Sequence, residues 1–106
     1  MANIVQILLT CANSEQAQQI TDTLLDKKLA ACIEQAEIKS KNWWKGELES
    51  QNEIRLTMET VAENFDKIEA EVRKLHSYDT FVMQMIPVLK VSKDVEAWIL
   101  ENTKSE

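Results

Sequence analysis

Gly46 is the only glycine in a chain of 106 residues, and it stands between two long stretches in which side-chain character alternates with a period of two. Before it, in AEIKSKNWW, Ala36, Ile38 and Trp44 share one face of an extended strand, while Glu37, Lys39, Lys41 and Trp43 share the other. After it, Ile54, Leu56 and Met58 alternate with Arg55, Thr57 and Glu59. The pattern predicts one long hairpin turning at Lys45 and Gly46. It also sets a problem. Neighbours on a strand point to opposite faces, so Trp43 and Trp44 cannot both enter one core.

The flanking sequence supplies the remaining elements. IVQILLTC, Ile4 to Cys11, is a nearly unbroken apolar run that suits a central strand. Asn13 with Gln16 three residues on opens a helix whose stripe is Ala17, Ile20, Leu24 and Ala31, widened by Leu25 and ending near Leu29 to Cys32. Thr60 with Glu63 reads as a second capping box, followed by Val61, Phe65, Ile68, Val72 and Leu75 at helical spacing. A strand over Thr80 to Pro87 then places Phe81, Met83 and Met85 on one side and Val82, Gln84 and Ile86 on the other. Ser92 caps a final short helix carrying Val95, Trp98 and Ile99.

The order β-α-β-β-α-β-α predicts an α+β fold of the ferredoxin-like kind. It has an antiparallel sheet, helices on one face and an extra C-terminal helix, in a single domain spanning residues 1–106. With helices on one side only, the apolar residues on the other side need a partner. A fully buried indole removes about 150–250 Å² from water. Two of them at the end of a hairpin favour self-association with closed symmetry, although a tryptophan half exposed at a hairpin tip is also common.

Composition narrows the function classes. The chain has 18 acidic and 12 basic side chains, a formal net charge of −6, which argues against a general affinity for nucleic acid or an anionic membrane. One glycine and one proline leave no room for a phosphate-cradling loop or a dinucleotide fingerprint. Cys11 and Cys32 lack metal-finger spacing and read as free thiols in a reducing, cytoplasmic setting. The N-terminal MANIVQILLTC lacks a basic n-region and a cleavage site, so it reads as a strand rather than an export signal. No nucleophile elbow or HExxH motif appears, and there is a single histidine, so no enzymatic activity is expected.

Three motifs carry a resemblance: LAAC (Leu29 to Cys32), WWKGELE (Trp43 to Glu49) and H-x-Y at His76 to Tyr78. In order and spacing the chain resembles the CutA divalent-cation tolerance family, over almost its whole length. The resemblance implies a compact homotrimer like that of the PII signalling proteins, with sheets facing inward and the hairpin reaching a neighbour. Trp43, Trp44 and Trp98 are then the interface candidates. It also implies a cytoplasmic protein that binds copper or another divalent cation weakly and takes part in the response to metal ions, with no cofactor required. The alternatives are a small-molecule sensing trimer and a ligand-free structural scaffold.

The metal candidates follow from topology. An antiparallel last strand brings the end of strand one, Thr10 and Cys11, toward Tyr78 to Thr80, with His76 just upstream. A thiolate and an imidazole there suit Cu²⁺, Cu⁺ or Zn²⁺. His76, Cys11 and Asp79 are the candidate ligands, to be completed by carboxylate or further ligands from a symmetry mate, with Glu15 the other nearby acid. The competing reading is a buried inert thiol plus a histidine closing a helix. Family members similar to this chain read HPYxxPE where this one reads HSYDTFV, so Ser77, Phe81 and Val82 depart from the pattern and only His76 and Tyr78 carry over. Thr10 occupies the position where bacterial relatives carry the cysteine, and a one-residue shift changes the sheet face. Cys32 is expected to be a packing residue, and Met58, Met83 and Met85 are expected to belong to the core.

Overall fold

A computed structural model describes residues 3–103, so the ends of the 1–106 domain lie outside the described residues. The elements are β1 (Ile4–Cys11), α1 (Ser14–Asp26), β2 (Cys32–Trp44), β3 (Glu47–Val61), a 3₁₀ turn (Ala62–Asn64), α2 (Phe65–Leu75), β4 (Met83–Pro87) and α3 (Val95–Asn102). The four strands form one sheet in the order β2-β3-β1-β4, with every neighbouring pair antiparallel. That is the ferredoxin-like α+β arrangement expected from the sequence.

Register divides the side chains between two faces. β1 pairs with β3 from Ile4↔Val61 to Cys11↔Ile54 without interruption. Val5, Ile7, Leu9 and Cys11 therefore lie on the same face as Ile54, Leu56 and Met58, and these pack against Ala17, Ile20 and Leu24 of α1 and Ile68 and Val72 of α2. α3 serves a different place. Its Ile99 closes a separate cluster with Ile4 and Val61, which the alternation puts on the opposite face at one sheet end. The helices are thus not confined to one side.

The hairpin outruns the rest of the fold. β2 and β3 pair continuously from Cys32↔Glu59 to Trp44↔Glu47, but β1 accompanies β3 only as far as Ile54. The distal part, 38–44 with 47–53, is a two-stranded ribbon, a structure that is at best marginally stable alone. Its turn is Lys45 and Gly46, at φ 52° and φ 82°. Positive φ at both central residues matches the twist of the flanking strands.

Several local expectations are corrected. α1 stops at Asp26 because Lys28 turns left-handed at φ 56°, so Ala31 is not on its stripe. Leu29 and Ala30 of the LAAC motif are buried, and Ala31 N–H already donates to Glu59 O at 2.9 Å, leading into β2. Thr60 does not cap α2. It belongs to β3, paired with Val5, and its hydroxyl donates to Leu29 O at 2.6 Å, so α2 starts only at Phe65. Ser92 contributes its backbone carbonyl to Val95 N–H rather than a side-chain cap, and Asp94 occupies the N-cap position. β4 begins at Met83, not Thr80, because the Phe81 ring is held against His76 instead of entering the ladder. Met58 is core as expected and Met83 packs against the core, but Met85 is 44% exposed, at the sheet edge.

Candidate functional site

The chemistry-bearing side chains collect where β1 ends. Asn13 opens α1 by accepting from Gln16 N–H at 2.9 Å, and Gln16 Oε1 in turn accepts Ala12 N–H at 2.9 Å. The other end of the Gln16 amide donates to Ser77 Oγ at 2.9 Å, tying the α2–β4 connection to the start of α1. This is the physical use of a serine where a proline was the expected pattern.

His76 is the centre of that connection. Its Nε2 lies 2.8 Å from Thr10 O, and Tyr78 N–H donates to its Nδ1 at 3.1 Å. A carbonyl can only accept, so Nε2 carries the proton and Nδ1 presents its lone pair to Tyr78. The ring stacks on Phe81 with centroids 4.8 Å apart and tilts against Tyr78 at 4.9 Å. Burial holds its pKa below the ordinary 6.5, against the opposing pull of the Thr10 bond and the Glu53 charge.

Tyr78 continues the chain of contacts. Its hydroxyl donates to Glu53 Oε2 at 2.8 Å, with Gln51 Oε1 at 3.5 Å, and Ser40 Oγ donates to the other Glu53 oxygen. Glu53 is 6% exposed. Burying a carboxylate is costly unless it is hydrogen-bonded, and these two hydroxyls meet that need with neutral donors. Burial, with the carboxylate beside it, pushes the Tyr78 phenol up to about 12.

The structure brings together Thr10, His76 and Tyr78 as expected, but does not assemble the expected metal set. Cys11 is buried in the core, where burial and secondarily the charge of Glu53 push its thiol up to about 12, far from the thiolate a metal requires. Asp79 and Glu15 are exposed. Among the described residues no three His, Cys, Asp or Glu side chains are grouped so as to hold a metal ion. Both cysteines are free, and Cys32, half-buried, begins β2 with its thiol pKa also raised, first by burial and then by Glu34 and Glu59.

The sequence reading missed Glu53 and Ser40. Nothing in the local pattern separates Glu53 from Glu49 or Glu59. Parity about the turn goes part of the way: Ile38 pairs with Glu53 and Ser40 with Gln51, which puts Ser40 diagonal to Glu53 on one face, but equally to Glu49. Beside the ribbon lies an open cleft of about 500 Å³, lined among others by Asn13, Ser14, Lys39 and Asn52.

The apolar candidates lie elsewhere and uncovered. Trp43 is 72% exposed and Trp44 41%, on opposite faces of the ribbon, and Trp98 on α3 is exposed as well. Leu48, Ile86 and Leu89 are exposed as well, Leu48 opposite Trp43 on the ribbon. Among the described residues no helix is long and apolar enough to cross a membrane.

Comparison with known proteins matches the chain over nearly its whole length. The family model described as "CutA1 divalent ion tolerance protein" matches residues 5–102. A divalent-cation tolerance protein CutA from Archaeoglobus fulgidus is 37% identical over 98 residues, covering 92% of this chain and 96% of that one. The corresponding protein of Thermotoga maritima is 33% identical over 99 residues, covering 93% and 98%. The solved structure of the periplasmic divalent cation tolerance protein CutA from Archaeoglobus fulgidus superposes with a TM-score of 0.93 at 36% identity, covering 95% of this chain and 99% of that chain.

Proposed function

The chain belongs to the CutA1 divalent ion tolerance family, and from that premise we propose that it acts as a non-catalytic homotrimer in the response to divalent metal ions. The observation that carries the assembly is the ribbon. Its distal half projects beyond β1, and both of its indoles are open to solvent in a single copy. Burial against neighbouring copies would recover an area of apolar surface that a soluble monomer rarely leaves exposed. The two unpaired thiols support a reducing, cytoplasmic setting.

Weak binding of Cu²⁺ or another divalent cation is, in this reading, a property of the assembled particle. The ribbon offers the carboxylates of Glu47 and Glu49 on one face, which packing of neighbours would bring together with further donors where one copy alone does not. Light scattering gives the subunit number and calorimetric titration with Cu²⁺ gives the binding. A monomeric parent protein removes the proposal, and absence of saturable heat below the millimolar range removes its ion-binding half.

A second reading, a small-molecule sensing trimer, is favoured by the open cleft beside the start of α1. Thermal-shift measurements against organic anions and nucleotides separate the two, because a ligand at about a hundred times its dissociation constant adds roughly 2.7 kcal/mol of stability. Blank results in both titrations leave a ligand-free scaffold.

A further inference from the structure

The family suggests a divalent ion, and topology placed the expected ligands at the end of β1, yet the donor set there does not fit one. A metal takes a histidine through an unshared nitrogen lone pair. His76 has none to give. Nε2 spends its proton on Thr10 O at 2.8 Å, and the lone pair on Nδ1 is taken by Tyr78 N–H at 3.1 Å. Turning the ring to release either nitrogen would lose both bonds and pull the imidazole off the Phe81 face. The thiol one residue past Thr10 is no substitute, since Cys11 is enclosed in the core beside Leu9 and Ile54.

We infer that His76 is a neutral strut rather than a ligand, and that this corner locks the hairpin to the body of the molecule instead of holding a divalent ion. Four segments meet through it. β1 contributes the Thr10 carbonyl; the α2–β4 connection contributes His76 and Tyr78; β3 contributes Glu53; and β2 contributes Ser40. The lock grips the hairpin at Ser40 and Glu53, the point at which β1 no longer accompanies β3. It therefore controls how the projecting ribbon is carried. His76 acts here through Tyr78, as a positioning residue.

The inference concerns a single copy and stands apart from the trimer, which light scattering tests separately. Because the chain contains one histidine, ¹⁵N-histidine NMR of the full-length protein reads His76 without ambiguity. At neutral pH the expected spectrum is a single neutral tautomer, protonated at Nε2 and hydrogen-bonded at Nδ1. Both resonances should hold their positions as Zn²⁺ is added to several equivalents, whether or not the ion binds elsewhere. A resting Nδ1–H tautomer, or a Zn²⁺-induced displacement of either ring nitrogen, overturns it. Neither result bears on the subunit count.

Discussion

The Tyr78 hydroxyl donates to the buried carboxylate of Glu53 at 2.8 Å, joining the connection ahead of β4 to the middle of β3 across 25 positions of sequence. Glu53 takes its other identified hydrogen bond from Ser40, so each of the two donors supports a charge that has little solvent to fall back on. The corner's weak point is therefore its anion.

Removing one donor exposes that weakness. Tyr78→Phe keeps the ring and deletes the hydroxyl, and leaving Glu53 short of a partner should cost about 1–3 kcal/mol. Urea denaturation checks this, and the double variant Tyr78→Phe/Glu53→Gln should recover part of the loss, since a neutral amide tolerates the missing donor better. Equal midpoints for parent and Tyr78→Phe would show the bond to be idle.

His76 makes stability depend on pH in a defined sense. Its folded pKa lies below the ordinary 6.5, so between those two values the unfolded chain holds more protons than the folded one. Stability is complete above about 6.5 and falls as pH drops below it, because protonating Nδ1 breaks the bond from Tyr78 N–H. Denaturation midpoints across mildly acidic to neutral pH should show this slope in the parent and a reduced slope in His76→Gln.

Thiol chemistry should distinguish the two cysteines. Cys11 is buried with its pKa at about 12, whereas Cys32 is only half-buried. Near neutral pH a thiol reagent should therefore label Cys32 first and reach Cys11 only as the chain unfolds. Mass spectrometry of peptides after timed labelling gives the order; simultaneous modification contradicts the packing described.

Leu29 O accepts from both Thr60 Oγ1 and Asn64 Nδ2, which pins the α1–β2 connection beneath the start of α2. Thr60→Val preserves shape and removes the shorter of these bonds, at a cost of roughly 1 kcal/mol while Asn64 remains. Adding Asn64→Leu should cost more than the two single losses summed, because the buried carbonyl then has no side-chain donor. Thermal unfolding of the three variants measures the coupling.

The hairpin tryptophans should matter more to assembly than to the folding of one copy. Trp43→Ala removes a largely exposed side chain, so its effect on the folding of a single copy should stay within about 0.5 kcal/mol. The proposed assembly should nevertheless loosen in Trp43→Ala or Trp44→Ala, seen as a lower mass by light scattering at the same concentration. Three subunits retained in both variants would mean that the indoles are not what joins the copies.

The elements that could be read from the sequence are those where one periodicity rules. β1, the hairpin and the apolar stripe of α2 follow directly from side-chain spacing. Element ends were less legible, because a residue that looks like a cap can be claimed by a distant partner. Thr60 is paired with Val5 and bonded to Leu29, and neither relationship is local. The corner at β1 was half legible for the same reason. Topology places His76 near Thr10, whereas Glu53 enters only through register counted back from the turn, and the commitment of both imidazole nitrogens depends on individual atoms.

The bend at Lys45 and Gly46 has a reach out of proportion to its size. Thirteen consecutive cross-strand partnerships, Trp44↔Glu47 back to Cys32↔Glu59, are counted from it without a bulge to reset the phase. Inserting one residue there while β3 keeps its place on β1 would rotate β2 by half a period. Trp43 and Trp44 would exchange sides and Ser40 would swing away from Glu53. The handedness of everything the arm presents to its surroundings is thus decided by the backbone angles of two amino acids at its far end.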